Sequence, residues 1–170
     1  TVRLGEDGIM AARTVQIAEG ATLDIETCTP DFNNVYGQGT LRINGDFPST
    51  GDYSAFVSKD GGTTEFYGSG HTGEISHFEY NNLILNYDDN ATRTFPNEER
   101  KQLNINGYLT INKGKINFSN TQQAIHIGSD LNIAENGGIY IYRGTPGVTH
   151  YDTVQVGGNF INRGEFVLTL

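Results

Sequence analysis

Carboxylates are the groups of this chain best suited to chemistry, because two of them held at a set separation can work as acid and base on a glycosidic bond. Glu74, Glu79, Asp88, Asp89, Glu98, Glu99, Asp130, Asp152 and Glu165 scatter over several corners of the chain. A glycosidase or polysaccharide lyase would instead bring three or more acids, or a Lys/Arg–acid cluster, into one groove. Asp88 and Asp89, followed by Asn90, form the densest oxygen-rich loop and are the candidate ligands for a calcium ion. Neither EF-hand spacing nor a Gly/Asp nonapeptide repeat accompanies them, so a turn is the plainer reading. No other cofactor is implied.

Histidines, tyrosines and the cysteine offer further candidates. His71 and His77 lack a zinc-binding spacing and a nearby cysteine, and read as independent solvated side chains. His126 lies between two inward isoleucines with no Ser or Cys nucleophile beside it, so a hydrolytic triad is unsupported. Tyr140 and Tyr142 alternate with Ile139 and Ile141 and therefore point outward, where they suit stacking on a sugar or contact with a protein. The absence of Trp weighs against a dedicated carbohydrate module. His150 and Tyr151, next to Asp152, sit in a long loop whose edge is the other candidate contact surface. Cys28 is the only cysteine, which excludes an intrachain disulfide and leaves the compartment unread.

The elements that must position these groups are strands. Four segments share the frame apolar-x-apolar-x-small-x-apolar: "LRINGDF" from Leu41, "LNINGYL" from Leu103, "IHIGSDL" from Ile125 and "VQVGGNF" from Val154. Alternation with a period of two marks a strand with one buried face, and its recurrence marks one unit of a stack. Superposing the C-terminal copies gives three inward pairs per coil. Leu103/Ile105, Ile125/Ile127 and Val154/Val156 form the first, and Leu109, Leu131 and Phe160 open the second. Ile116/Phe118, Ile139/Ile141 and Phe166/Leu168 form the third. Head-to-head spacings of 22 and 29 residues differ by one variable loop, "RGTPGVTHYD". Asn104, His126 and Gln155 then make an outward polar column. Thr110, Asn132 and Ile161 make another, which is not the flat Thr ladder of an ice-binding solenoid.

This pattern predicts an all-β chain: a parallel β-helix (β-solenoid) with three short strands per coil of about 22–29 residues. The missing six-residue period favours the right-handed form. In the N-terminal half, "VQIAEGATLDI" from Val15 to Ile25 matches "LNIAENGGIYI" from Leu131 to Ile141, placing Gly20 at a corner and Leu23 and Ile25 inside. Phe56, Val57, Phe66, Leu83 and Leu85 read as strand positions in a stretch of looser register.

Composition narrows the function classes. The 170 residues carry a net charge of −9 with 11 Lys and Arg, too few and too scattered to neutralise nucleic-acid phosphates. No apolar run is long enough to span a membrane, and no signal-peptide core opens the chain. One domain over 1–170, excised or matured from a longer chain, is expected.

The segments "GQGTLRINGDFPSTGDYSAF", "YNNLIL", "LNINGYLTINKGKINF" and "VQVGGNFINRGEF" resemble repeats of large secreted, adhesin-like surface proteins of gliding, type IX secretion bacteria (Bacteroidota). The resemblance covers most of residues 13–170, while "HTGEISHFEY" and "DDNATRTFPNEERK" are more charged than such linkers. It implies a secreted or cell-surface, non-enzymatic structural or adhesive segment. Its partners would be extracellular proteins, polysaccharides and the flanking coils of a parent chain. The alternative is a carbohydrate-active β-helix, a lyase or hydrolase, or a carbohydrate-binding module.

Overall fold

Apolar residues at every second position, separated by Gly- and Asn-rich corners, leave each coil unable to bury its own side chains, and stacking supplies the missing surface. The computed structural model describes residues 1–4, 11–28, 30–69, 79–88, 92–94, 102–119, 124–142 and 153–169. In chain order the elements are β1 (Val2–Arg3), β2 (Ala11–Gln16), β3 (Thr22–Asp24), β4 (Asp31–Tyr36), β5 (Thr40–Ile43), α1 (Ser54–Val57), β6 (Thr63–Gly68), β7 (Glu79–Tyr80) and β8 (Asn82–Tyr87). There follow β9 (Thr92–Thr94), β10 (Gln102–Ile105), β11 (Leu109–Ser119), β12 (Ala124–Ile127), β13 (Leu131–Tyr142), β14 (Thr153–Val156), β15 (Phe160–Asn162) and β16 (Glu165–Thr169). All strand pairings between them are parallel, and the fold is a β-solenoid.

Three faces wind around one core. The second face is the continuous one, running β1-β3-β5-β6-β8-β11-β13-β15, so that Leu23, Leu41, Thr64, Leu83, Leu109, Leu131 and Phe160 form a single column. The first face is β7-β10-β12-β14, with Leu103, Ile125 and Val154 in register. On the third face Ile116 stacks on Ile139 and Ile139 on Phe166, with Phe118, Ile141 and Leu168 beside them. The register of the three columns in the C-terminal copies thus stands as the repeat predicts, while Phe160 and Leu168 are exposed and the Phe118 side chain lies outside the described residues. Asn104, His126 and Gln155 also share one register, and Glu79 extends that column.

Corners bind one coil to the next. Gly128 N–H donates to the Ile105 carbonyl at 2.8 Å and Gly157 N–H to the Ile127 carbonyl at 2.8 Å. A β-carbon at Gly128 would run into the carbonyl of Asn106, and one at Gly157 into that of Gly128, so the coils approach here only because both positions lack a side chain. Asp130 belongs to the same device: its Oδ1 accepts the backbone N–H of Asn159, one coil on, at 2.7 Å.

The N-terminal half departs from the expected plan in four ways. First, Leu41 stacks on Leu23 and on Thr64, within the second-face column, whereas the frame it shares with Leu103 places it on the first face. Two corners of a coil have the same local geometry, so the same seven-residue frame fits either. Second, Leu23 lies in the column of Leu131, not of Ile139, which sets the Val15–Ile25 match one strand out of step. Third, among the described residues only β9, β11, β13 and β16 build the third face, and in the first half its place is taken by loops around Glu26 and Asn44–Ser49. Successive members of the second-face column are accordingly 18 to 29 residues apart, a wider range than the repeat suggests.

Fourth, Phe56 and Val57 lie in the one-turn helix α1 rather than in a strand. Adjacent residues of a strand point to opposite faces, yet Phe56 is 0% and Val57 6% exposed, and a helical turn lets both point inward. The Asp52 carboxylate starts this turn by accepting the Ser54 N–H at 2.9 Å. Hydrogen bonds from the Ser54 side chain and then its backbone hold that exposed carboxyl below its usual range. The helix interrupts the first face, leaving β2 and β4 as a separate sheet that Asp52 extends by a single bridge to Asn34. Phe66, Leu83 and Leu85 are buried strand residues, as read from the sequence.

Tyr53, just before α1, is 3% exposed, and its hydroxyl has no hydrogen-bond partner. Burial raises its pKa to about 12, above the roughly 10 of a free phenol. The folded state therefore favours the neutral phenol, a contribution that is complete below pH ~10 and is lost as pH rises from there toward the folded value. Tyr53→Phe removes the orphaned hydroxyl, and we expect it to stabilise the chain by about 1 kcal/mol at neutral pH. That advantage should widen above pH 10, where only wild type loses the share of stability that ionisation of the Tyr53 phenol in the unfolded chain removes. Urea titrations at two pH values check this; a variant less stable than wild type at both would show that the hydroxyl is satisfied.

Candidate functional site

The predicted site residues do not gather. Of the acids singled out in the sequence, Glu79, Asp88, Asp130 and Glu165 are described, and each has a separate setting. Glu79 accepts a hydrogen bond from the Asn106 amide at 3.1 Å, and Asp130 caps a corner. Glu165 pairs with Lys115, and Asp88 is exposed, its N–H bonded to the Gly68 carbonyl at 2.8 Å. Asp89, His150 and Tyr151 lie outside the described residues, as do His71, His77, Glu74, Glu98, Glu99 and Asp152. Among the described residues no group of three or more His, Cys, Asp or Glu is placed to hold a metal ion.

A charged cluster arises where the sequence offered no candidate. Second-face residues pointing away from the core stack in the order Arg3, Asp24, Arg42, Glu65, so the sign alternates from rung to rung. Asp24 is 0% exposed, and its Oδ2 meets Arg42 Nη1 at 2.9 Å and Arg3 Nη2 at 3.5 Å. Its Oδ1 accepts the Tyr67 hydroxyl at 2.7 Å and the Glu26 N–H at 3.2 Å. Arg42 Nε binds Glu65 at 3.0 Å, and the guanidinium lies 4.1 Å from the centroid of the Tyr67 ring. Asn86 donates to the second Glu65 oxygen at 3.2 Å, and Arg3 also pairs with Glu26 at 3.0 Å.

Burial, then the hydrogen bond to Asp24 and that carboxylate's charge, push the Tyr67 hydroxyl far above the ordinary phenol range. Its proton therefore stays in place to satisfy Asp24. The cluster is the convergence of acids, arginines and a tyrosine that a carbohydrate-active site would need, but its polar groups are turned onto one another. The signal was present in "LDI", "LRI" and "EF", whose middle or first residues alternate in charge. It becomes visible only once Leu23, Leu41 and Thr64 are known to stack.

The third face holds Tyr140. Lys115 Nζ donates to the Tyr140 hydroxyl at 2.9 Å and pairs with Glu165 at 3.3 Å, and it stands 5.0 Å from the centre of the tyrosine ring. Lys115, Gly138 and Glu165 occupy one register on successive coils. The middle rung carries no side chain, so lysine and glutamate reach each other across it. A β-carbon on Gly138 would sit 3.0 Å from Tyr140 Cε2 and 3.4 Å from both Lys115 Cγ and Glu165 Cβ. Thr92, Lys115, Asn117 and Tyr140 line a notch of about 200 Å³ on this face. Asn117 Oδ1 is buried there without a hydrogen-bond partner. Tyr142 ends β13 opposite Thr169, and its side chain is outside the description.

A larger cavity, about 400 Å³, opens where loops replace the third face in the first half. Its walls include Glu26, Cys28, Asn44, Asp46 and Phe47. Glu26 pairs with Arg3, and Asp46 is the second carboxylate of this wall.

With fold and surfaces in place, the class is a parallel β-solenoid whose outer faces carry coil-to-coil polar ladders. No protein family, curated protein or solved structure matches the chain. Among the described residues no helix is long and apolar enough to cross a membrane.

Proposed function

We propose that the chain is a non-enzymatic structural and adhesive β-solenoid segment of a secreted or cell-surface protein. The observation that carries this reading is the coil-to-coil pairing of outward charge. Asp24, Arg42 and Glu65 are joined in one network, and so are Lys115 and Glu165. Such bonds tie successive coils into a rod and leave surface for contact rather than turnover. The resemblance of the repeats to surface proteins of gliding, type IX secretion bacteria supports the same role.

Flanking coils of a parent chain are the proposed neighbours. Extracellular protein or polysaccharide is the proposed outer partner, and neither nucleic acid nor a bilayer belongs to this reading.

The second reading is a carbohydrate-active β-helix, favoured by the convergence of Asp24, Glu26 and Glu65 with Arg3, Arg42 and Tyr67. Incubating the protein with neutral and acidic polysaccharides separates the two. The structural reading expects no new reducing or unsaturated ends. Release of such ends, abolished by Glu65→Gln, would replace it with the enzymatic one. Calcium at Asp88 and Asp89 stays a subsidiary proposal; a melting temperature unchanged by calcium or chelator would remove it.

A further inference from the structure

We propose that the notch on the third face binds one hydroxyl-rich unit of a neutral polysaccharide, with Tyr140 as its apolar wall and Lys115, Asn117 and Thr92 as its hydrogen-bonding groups. This rests on the adhesive reading and gives it a ligand class. A volume of about 200 Å³ is below the roughly 300–1,000 Å³ of pockets that enclose a whole cofactor or drug-sized molecule, and suits a single unit of a longer chain.

Polarity selects the unit. An ammonium has three N–H donors, and Lys115 uses two, on Tyr140 and Glu165, which leaves one for a ligand oxygen. The Tyr140 oxygen accepts from Lys115, so its own hydrogen is free to donate outward. Thr92 is exposed at the rim and can do either. Asn117 Oδ1 lacks a donor at the floor, and a turn of its amide toward a bound hydroxyl would end that deficit. Donors and acceptors thus mix within one small volume, which matches a polyol.

Charge excludes the neighbouring classes. Glu165 balances Lys115, and the chain carries −9 overall, so among the described residues of the notch a polyanion meets no uncompensated cation. A purely apolar ligand would leave the ammonium and amide unsatisfied. The tyrosine ring supplies the flat apolar surface that the C–H face of a sugar needs. Gly138 keeps that surface open, because any side chain on its rung would crowd the ring, Lys115 and Glu165 together.

Affinity electrophoresis of the full chain through gels containing dextran, hydroxyethyl cellulose or alginate tests the proposal. Retardation is expected in a neutral gel, weakened at least ten-fold by Tyr140→Ala and by Lys115→Met. Tyr36→Ala, a change at an exposed tyrosine on β4, should leave it intact. Circular dichroism checks that each variant is folded; should Tyr140→Ala fail, Lys115→Met and Thr92→Val decide. Retardation in no gel, or only in alginate, overturns the proposal. Retardation in a neutral gel that survives Tyr140→Ala and Lys115→Met overturns this site while the adhesive reading stands. Release of new reducing ends, lost in the same variants, would support the site and overturn the non-enzymatic reading.

Discussion

Asp24→Ala is expected to cost about 3–5 kcal/mol, the range for removing one partner of a buried ion pair. Its carboxylate is fully enclosed and accepts from Arg42, Arg3, Tyr67 and the Glu26 N–H. Without it the Arg42 guanidinium keeps only Glu65 and the Tyr67 ring, and the Tyr67 hydroxyl loses its acceptor. At about 2–4 °C per kcal/mol for a chain of this size, the melting temperature should fall by roughly 10 °C.

Two comparisons isolate the cause of that loss. Arg3 has 62% of its side chain exposed, so Arg3→Ala should change stability by less than about 1 kcal/mol. Asp24 and Arg42 should couple by about 0.5–3 kcal/mol when replaced together, because both sit in one network. Urea midpoints read all of these. An Asp24→Ala protein within about 0.5 kcal/mol of wild type would mean that the ladder behaves as ordinary surface charge.

Phe56→Ala should be comparably severe, at about 3–5 kcal/mol for a large ring removed from a closed core. The Phe56 ring fills the space that a side chain on Gly62 would need, and α1 packs against β4, β6 and β7. Losing the ring undercuts the helix where it substitutes for a strand of the first face. Phe56→Leu keeps most of the volume and should cost less than about 1.5 kcal/mol. Hydrogen exchange gives an independent check, since Val35 N–H donates to the Asp52 carbonyl at 2.8 Å beside the start of the helix. In Phe56→Ala that amide should exchange faster, while Ile133 and Ile111 in the C-terminal coils keep their protection. A midpoint within 1 kcal/mol of wild type would show that α1 carries little of the packing.

The two predictions bracket what could be read in the chain. The three columns of residues 102–169 were legible because a strand displays its buried face at every second residue, and three copies of the same frame, differing in one loop, fix the register between coils. The outward Asn104–His126–Gln155 column follows from the same register. Phe56 and Val57 escaped this logic because a single helical turn leaves too short a pattern to compete with alternation. Leu41 was placed on the wrong face because its frame records a strand and a corner without recording which corner.

Tyr140 shows the same boundary at the candidate site. Its alternation with Ile139 and Ile141 set it outward, but Lys115 and Glu165 stand 25 residues before and 25 after it, and only stacking makes them neighbours across Gly138. Local period and corner chemistry, properties of adjacent residues, determined that this chain is a parallel solenoid and which side chains fill its core. In the N-terminal half no regular copy fixes the register, so there the sequence does not specify which outward residues lie above one another. The tertiary winding decided that Arg3, Asp24, Arg42 and Glu65 form one ladder and that Thr92, Lys115, Asn117 and Tyr140 line one notch.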